Sequence, residues 1–387
     1  MIHATNRTEV SAKMLKLPEK LRKTLEKTVK EMAANETVSG IGLFGSWSRG
    51  DATLSSDVDL LILSNVPLED EYVERISVGD LFLDLNFVPK HLIQGPIHPK
   101  LDQKLYEAQI LYDREWTLTN TKLSMAKFYG SPERIDIRTQ THVIESDVYL
   151  SRATSAHAKG DYLSAQLFAI VAMENILRVP LEIALEPFSN SRFLEKMEIV
   201  AERLGMQEIF DDYLKTAKLN EVSAMEAEEK LKLFKTVWDE TSFLVKRKLQ
   251  TLKNVHFKVK TSINYYFNAA FLQGTILRAN SMINSEKFAE TAHYLTSISL
   301  NLIENYAWLK ATAERQRVDY TSLIRSIEKL ERGNPKHYQN IIKLLNLTDT
   351  ANLSKEETTR TIGKVRRNIL KIRRERKHLI KTYISRS

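Results

Sequence analysis

Residues 42–63 read GLFGSWSRGDATLSSDVDLLIL. A short apolar run ends at Gly45-Ser46, a polar turn follows, and a second apolar run begins at Asp57. Glycine is scarce, 12 in 387 residues, yet Gly40, Gly42, Gly45 and Gly50 crowd together here. Such crowding marks close backbone approach or dihedrals that other residues avoid. Working outward, 17–32 has the periodicity of an amphipathic helix, and 42–44, 58–63, 81–88 and 110–112 have strand length and composition. The segment therefore predicts a small mixed α/β domain.

Strand side chains alternate, so Asp57 and Asp59 project from one face while Val58, Leu60 and Ile62 fill the other. Two carboxylates side by side at a strand's beginning suit Mg²⁺, a hard cation that keeps water and phosphate oxygens in its remaining positions. LFLDLNFVP supplies a third acid, Asp84, which would be costly among apolar neighbours without a cation or hydrogen bonds. Asp80 follows Gly79 and reads as a turn residue. A strand that ends in Gly45-Ser46 lets backbone amides and a small hydroxyl face a phosphate, with Arg49 near enough to add charge. Trp47 is placed to stack on a base or to pack inward.

Gly45-Ser46, Arg49-Gly50 and Ser56-Asp57-Val58-Asp59-Leu60, with Asp84 on a later strand and 107–113 as a last strand, resemble the DNA polymerase beta-like nucleotidyltransferase superfamily. The likeness covers roughly the first 115 residues and is strongest to the minimal and antibiotic nucleotidyltransferases. It implies catalytic and metal-binding roles for Asp57, Asp59 and Asp84, and nucleotide contacts for Gly45, Ser46 and Arg49. One or two Mg²⁺ ions and an NTP, with ATP expected, follow from it, as does transfer of a nucleoside monophosphate to a hydroxyl with release of pyrophosphate. An RNA 3′ end, a small molecule of aminoglycoside type and a protein tyrosine stand as alternative acceptors. A nucleotide- or RNA-binding scaffold without catalysis is the reading from another class.

After residue 117 the composition turns helical, which divides the chain into 1–117 (catalytic), 118–255 (a first bundle) and 256–387 (a second), α+β overall. Arg152, Tyr162, Ala165 and Ser191 have counterparts in Arg278, Phe288, Ala292 and Ser322, at offsets that grow from 126 to 131. Slow growth of this kind is what loop insertions in a diverged duplication would produce, and the likeness of any two amphipathic helices is the alternative reading. The stretch from Ser151 to Leu177 resembles the opening helices of HEPN-type bundles. Some of those are ribonucleases with an Arg-x4–6-His motif, a spacing matched by Arg152/His157 and by Arg373/His378, although both read as structural or solvated. Glu145 is a candidate general base by analogy with the antibiotic-modifying relatives.

The chain carries 57 Lys and Arg against 49 Asp and Glu, and 355–387 alone holds 12 cations and 3 glutamates. Ser354-x-x-Glu357 is a capping box. Beyond it Ile362, Val365, Ile369, Ile372, Leu379 and Tyr383 form one apolar face among the cations. This basic helix is the candidate RNA contact. Absence of cysteine excludes disulfides, thiolate metal sites and a cysteine nucleophile. The longest apolar run, Leu167–Met173, is too short to span a bilayer, so no membrane role and a cytoplasmic location are expected. Oligomeric state has no signature in the sequence.

Overall fold

The computed structural model describes residues 17–53, 55–248, 255–347 and 353–384. The chain forms two compact units, 1–129 with 256–275, and 130–255 with 276–387. The arrangement is α+β, a five-stranded mixed sheet in the first unit and helices in the second.

The first unit begins with α1 (Glu19–Ala33), β1 (Val38–Phe44), the short α2 (Ser46–Arg49) and β2 (Val58–Ser64). It continues with β3 (Tyr72–Val78), β4 (Leu81–Pro89), α3 (Asp102–Glu107), β5 (Gln109–Asp113) and α4 (Thr117–Phe128). Strand order is β3-β4-β2-β1-β5, with β2 and β4 parallel and the other pairs antiparallel. Every residue of β1 is buried. A strand covered on both faces is mostly apolar, which explains the near-continuous runs in β1 and β2. Leu21 and Leu25 of α1 pack with Ile41, Leu43, Val58, Leu60 and Ile62 on one face. Leu61, Leu63, Leu101, Leu105, Leu118 and Met125 pack on the other.

The change in composition predicts a boundary at 117, but α4 stays with the sheet because Leu118 and Met125 complete that second core. A Cβ on Gly40 would meet Leu118 at 3.2 Å, so the bare strand is what seats the helix. Residues 256–275, which the sequence assigns to a second bundle, also belong to this unit. They comprise α10 (Phe257–Tyr266), which packs on β3, and the start of α11 (Ala269–Asn284).

The second unit contains α5 (Pro132–Ala158), α6 (Tyr162–Ile183), α7 (Phe193–Leu204), α8 (Gln207–Thr216) and α9 (Ala224–Arg247). A matching series closes the chain: α11, α12 (Phe288–Ala313), α13 (Leu323–Leu330), α14 (Pro335–Leu344) and α15 (Lys355–Ile384). Left-handed residues recur in step, Gly160 with Glu286, Leu185 with Arg315, and Lys218 with Asn346. The two series form one unit rather than two bundles because they interlock. Helix α9 packs on α12, and α15 packs on α6.

Their caps are exchanged as well. Neither α7 nor α13 is capped by its own N-cap side chain. Glu290 accepts the Leu194 and Glu195 amides at 3.1 and 2.9 Å, while Ser164 and Asp161 accept those of Ile324 and Arg325 at 2.8 and 3.3 Å. Each series thus satisfies the orphan amides of the other.

Helix α6 meets the length and hydropathy expected of a membrane span, although the longest apolar run within it is short. It packs against α5, α15, α7, α8 and α13, and a helix covered on so many sides needs little polar surface. Arg386 and the side chain of Tyr383 lie outside the described residues.

Candidate functional site

Strand register builds the site. Phe44 on β1 pairs with Asp59 on β2, Asp59 with Asp84 on β4, and Asp84 with Arg75 on β3. These four residues form one row across the sheet. Leu83, Leu85 and Ile76 point into the core beneath α1, so Asp84 and Arg75 share the opposite face with Asp59. Asp57 lies just before β2. Of the residues the sequence singles out, Asp57, Asp59 and Asp84 therefore meet at one end of the sheet beside Gly45.

Gly45 has φ +75° and ψ −157°, a backbone region that is nearly exclusive to glycine. A Cβ there would collide with Asp59 Oδ2, so the bend and the carboxylate are fitted to each other. Ser46 opens α2 and is half-buried. Trp47 packs against the core, and its Nε1 donates to the Ser56 carbonyl at 3.4 Å. That contact ties the bend to the loop before the aspartates.

Spacing alone predicts that Arg49 faces phosphates, but its Nη1 donates to Glu107 Oε2 at 2.7 Å and its Nη2 lies 3.3 Å from Asp51. The same Glu107 oxygen accepts the Gly45 amide at 3.1 Å. Glu107 Oε1 accepts from Gln103 at 2.8 Å, and the Glu107 carbonyl accepts from Ser48 at 2.5 Å. A buried carboxylate of the protein thus takes the place that spacing would give to a ligand anion. Arg49 is consequently a residue that holds the bend.

Nothing in the sequence singles out Arg75. Its side chain is 3% exposed. Nε donates to Asp84 Oδ1 at 2.6 Å and Nη2 to Asp84 Oδ2 at 2.5 Å, while Nη2 also reaches Asp57 Oδ2. The Tyr265 hydroxyl donates to Asp84 Oδ2 at 3.3 Å. Tyr265 and Phe271 place their rings 5.5 and 5.9 Å from the guanidinium carbon, and Asn268 donates to the Arg75 carbonyl at 2.9 Å. Burial works against the Arg75 charge, but Tyr265, Asp84 and Asp57 outweigh it and hold the group protonated well above its ordinary range. Burial, followed by the Asp84 charge, raises the Tyr265 phenol well above its usual value. Asp80 lies in the β3–β4 turn and pairs with Lys20.

Three carboxylates suit a divalent ion by their chemistry, yet a guanidinium bridges two of them. Among the described residues, no group of three His, Cys, Asp or Glu side chains is arranged to hold a metal ion. As arranged here, the donors do not make a metal site.

The helical candidates are occupied elsewhere. Glu145 lies on α5, 3.9 Å from His142. Arg152 approaches Glu304 at 3.5 Å and covers the Tyr149 ring, while His157 meets Thr359 at 3.0 Å. Arg373 pairs with Asp147, and His378 meets Thr382 at 3.5 Å.

The strand-borne acids lie against a Gly-Ser bend. Residues 22–114 match the model of the nucleotidyltransferase domain family, a span that contains the whole row from Phe44 to Arg75 and Asp84. A Methanocaldococcus jannaschii protein provisionally named a protein adenylyltransferase is 29% identical over 101 residues, which are 25% of this chain and 99% of that one. A nucleotidyltransferase-like protein from Exiguobacterium sibiricum is 13% identical, with a TM-score of 0.32 over 71% of this chain and 78% of that one. The family match and the archaeal relative support nucleotide transfer in general. The segment 256–275 lies outside the family match.

Proposed function

We propose that the first unit transfers a nucleoside monophosphate from an NTP to a hydroxyl acceptor. The observation that carries this is the convergence of Asp57, Asp59 and Asp84 on Gly45, within the stretch that matches the domain family. In this reading Gly45 and Ser46 border the triphosphate, and Glu107 and Arg49 fix the bend. Asp84 already accepts a hydrogen bond from a hydroxyl, that of Tyr265. An acceptor hydroxyl in that position would pass its proton to Asp84 as its oxygen attacks the α-phosphorus, with pyrophosphate leaving. Magnesium belongs to the proposal through the three acids, and its access is treated below.

A protein hydroxyl is the acceptor favoured by the name of the archaeal relative. RNA is supported by α15, on which Arg360, Arg366, Arg367, Arg374 and Lys377 are exposed. That support is narrower than the cation count implied, because Lys364, Lys371, Arg373 and Arg376 pair with Asp212, Glu208, Asp147 and Asp136.

The test is incubation with each α-labelled NTP and Mg²⁺, supplying total RNA, a protein extract or aminoglycosides in turn. Pyrophosphate release that Asp57→Asn and Asp59→Asn reduce by about a hundredfold or more supports the reading. Release unaffected by both substitutions, or none with any acceptor, defeats it.

A further inference from the structure

Arg75 is held from two sides. Its guanidinium fork spans both oxygens of Asp84 and one of Asp57, the position a bridging cation would take between those acids. From the other side, 256–275 presents Tyr265, Phe271 and the Asn268 amide. This segment is anchored independently, by a Lys258–Asp70 ion pair and by the edge of Phe257 against the Tyr72 ring at 5.5 Å. The fit is close. A Cβ on Gly274 would lie 2.9 Å from Arg75 Nη1, so this helical position is bare where the guanidinium needs room. A buried fork with its own aromatic clamp is built to stay charged and in place.

We infer that the Arg75 guanidinium, latched by 256–275, holds the place between Asp57 and Asp84 that a bridging cation would take, so that these acids as arranged refuse a divalent ion until Arg75 withdraws. The inference rests on the nucleotidyl-transfer reading for the use of the metal. A divalent ion can gather these carboxylates only by exchanging with the guanidinium, because a second cation in contact with the same oxygens is repelled. Apparent metal affinity is then the intrinsic affinity reduced by the fraction of molecules in which Arg75 has withdrawn. Loosening the latch must raise it.

The experiment measures Mn²⁺ binding to the full chain without nucleotide, by electron paramagnetic resonance and titration calorimetry. Arg75→Gln is expected to bind Mn²⁺ at least about tenfold more tightly than the unmodified protein. Gly274→Ala retains the arginine and crowds it, and should tighten binding severalfold even though Ala ordinarily favours a helix. In the unmodified protein the Arg75 Nε–H nuclear magnetic resonance signal should shift as Mg²⁺ is added. Equal or weaker Mn²⁺ binding by both variants overturns the inference, as does an Arg75 signal that stays fixed at metal saturation. Should Arg75→Gln not fold, Gly274→Ala and the Nε–H titration decide alone. Pyrophosphate release, assayed in parallel, separates the two readings. Turnover with a metal affinity indifferent to Arg75 removes the latch and leaves the transferase, whereas tightened binding without turnover in any variant keeps the latch and removes the transferase.

Discussion

Replacing Gly45 by alanine tests the construction of the site at its most constrained point. Two costs arise there. At φ +75° and ψ −157° a residue with a Cβ is strained by about 2 kcal/mol. The new Cβ also collides with Asp59 Oδ2, and pushing a packed group aside costs about 1–3 kcal/mol. The expected loss for Gly45→Ala is about 3–5 kcal/mol. Gly50 is an internal control, with φ +84° and ψ 17° and nothing within 4 Å of where its Cβ would stand. Gly50→Ala should cost only about 1–2 kcal/mol. Native-state hydrogen exchange at the β1 and β2 amides reads the opening free energy of this unit separately from the helical one. Equal costs at the two glycines, or a loss below about 1 kcal/mol at Gly45, would refute the claim that the bend and Asp59 are fitted to each other.

Glu107→Gln removes the charge from the bonds to Gly45 and Arg49, and should lower stability by about 1–3 kcal/mol in urea unfolding. Combining it with Arg49→Gln should cost less than the sum of the two, because both break one ion pair. In the helical unit, Glu290→Ala should cost about 1–2 kcal/mol by loss of an exchanged cap, with hydrogen exchange fastest at the first turn of α7. Asp161→Ala should cost more because Asp161 also caps α6, with exchange fastest at the first turns of α13 and α6. Lys230 is fully buried, which pushes its amine down to about 7. The folded chain therefore holds fewer protons than the unfolded chain between about pH 7 and 10.5. Stability from this group rises with pH across that window, by up to about 1.4 kcal/mol per unit, and is lost as pH falls back to 7. Lys230→Met should abolish that slope in unfolding measured against pH, and an unchanged slope would exclude the lysine as its source.

The strands that carry the acids, β2 and β4, and the adjoining β1 were legible because they lie inside the sheet, where burial favours the apolar residues that flank Asp59 and Asp84. Strand β3 was not. It is an edge strand whose YVERISV mixes apolar, charged and polar residues, and an Arg75 beside Glu74 in such a strand reads as surface. Its one clear signal was the Gly79-Asp80 turn, which makes 72–78 the hairpin partner of β4 and sets Arg75 opposite Asp84. Glu107 stood out only as the start of a strand, since nothing local reveals that its carboxylate turns back to Gly45. The contribution of 256–275 was beyond reach, because spacing cannot bring Tyr265 to Asp84 across 181 residues. The duplication showed in the offsets, but its exchanged helices did not. An amphipathic pattern states that a face is buried without stating which helix covers it.

The row from Arg75 through Asp84 to Asp59 sets stability and cation exchange in opposition, and its members are not equivalent. Like charges on paired strands repel, so Asp59 opposite Asp84 is unfavourable unless one of them is neutralised. Arg75 supplies that neutralisation to Asp84 through two bonds and to Asp57 through one. Asp84→Asn should therefore remove the principal partner of a buried guanidinium and cost about 3 kcal/mol or more. Asp59→Asn leaves the Arg75 bonds to Asp84 and Asp57 in place, so it should cost at least about 1.5 kcal/mol less. Urea unfolding of the two variants at low and high salt gives the comparison. The Asp59–Asp84 repulsion is lost in both variants and cancels in the difference, so the gap reports the buried Arg75 pair and should change little as salt rises. A larger loss at Asp59 than at Asp84 would mean that the guanidinium is not what stabilises the row.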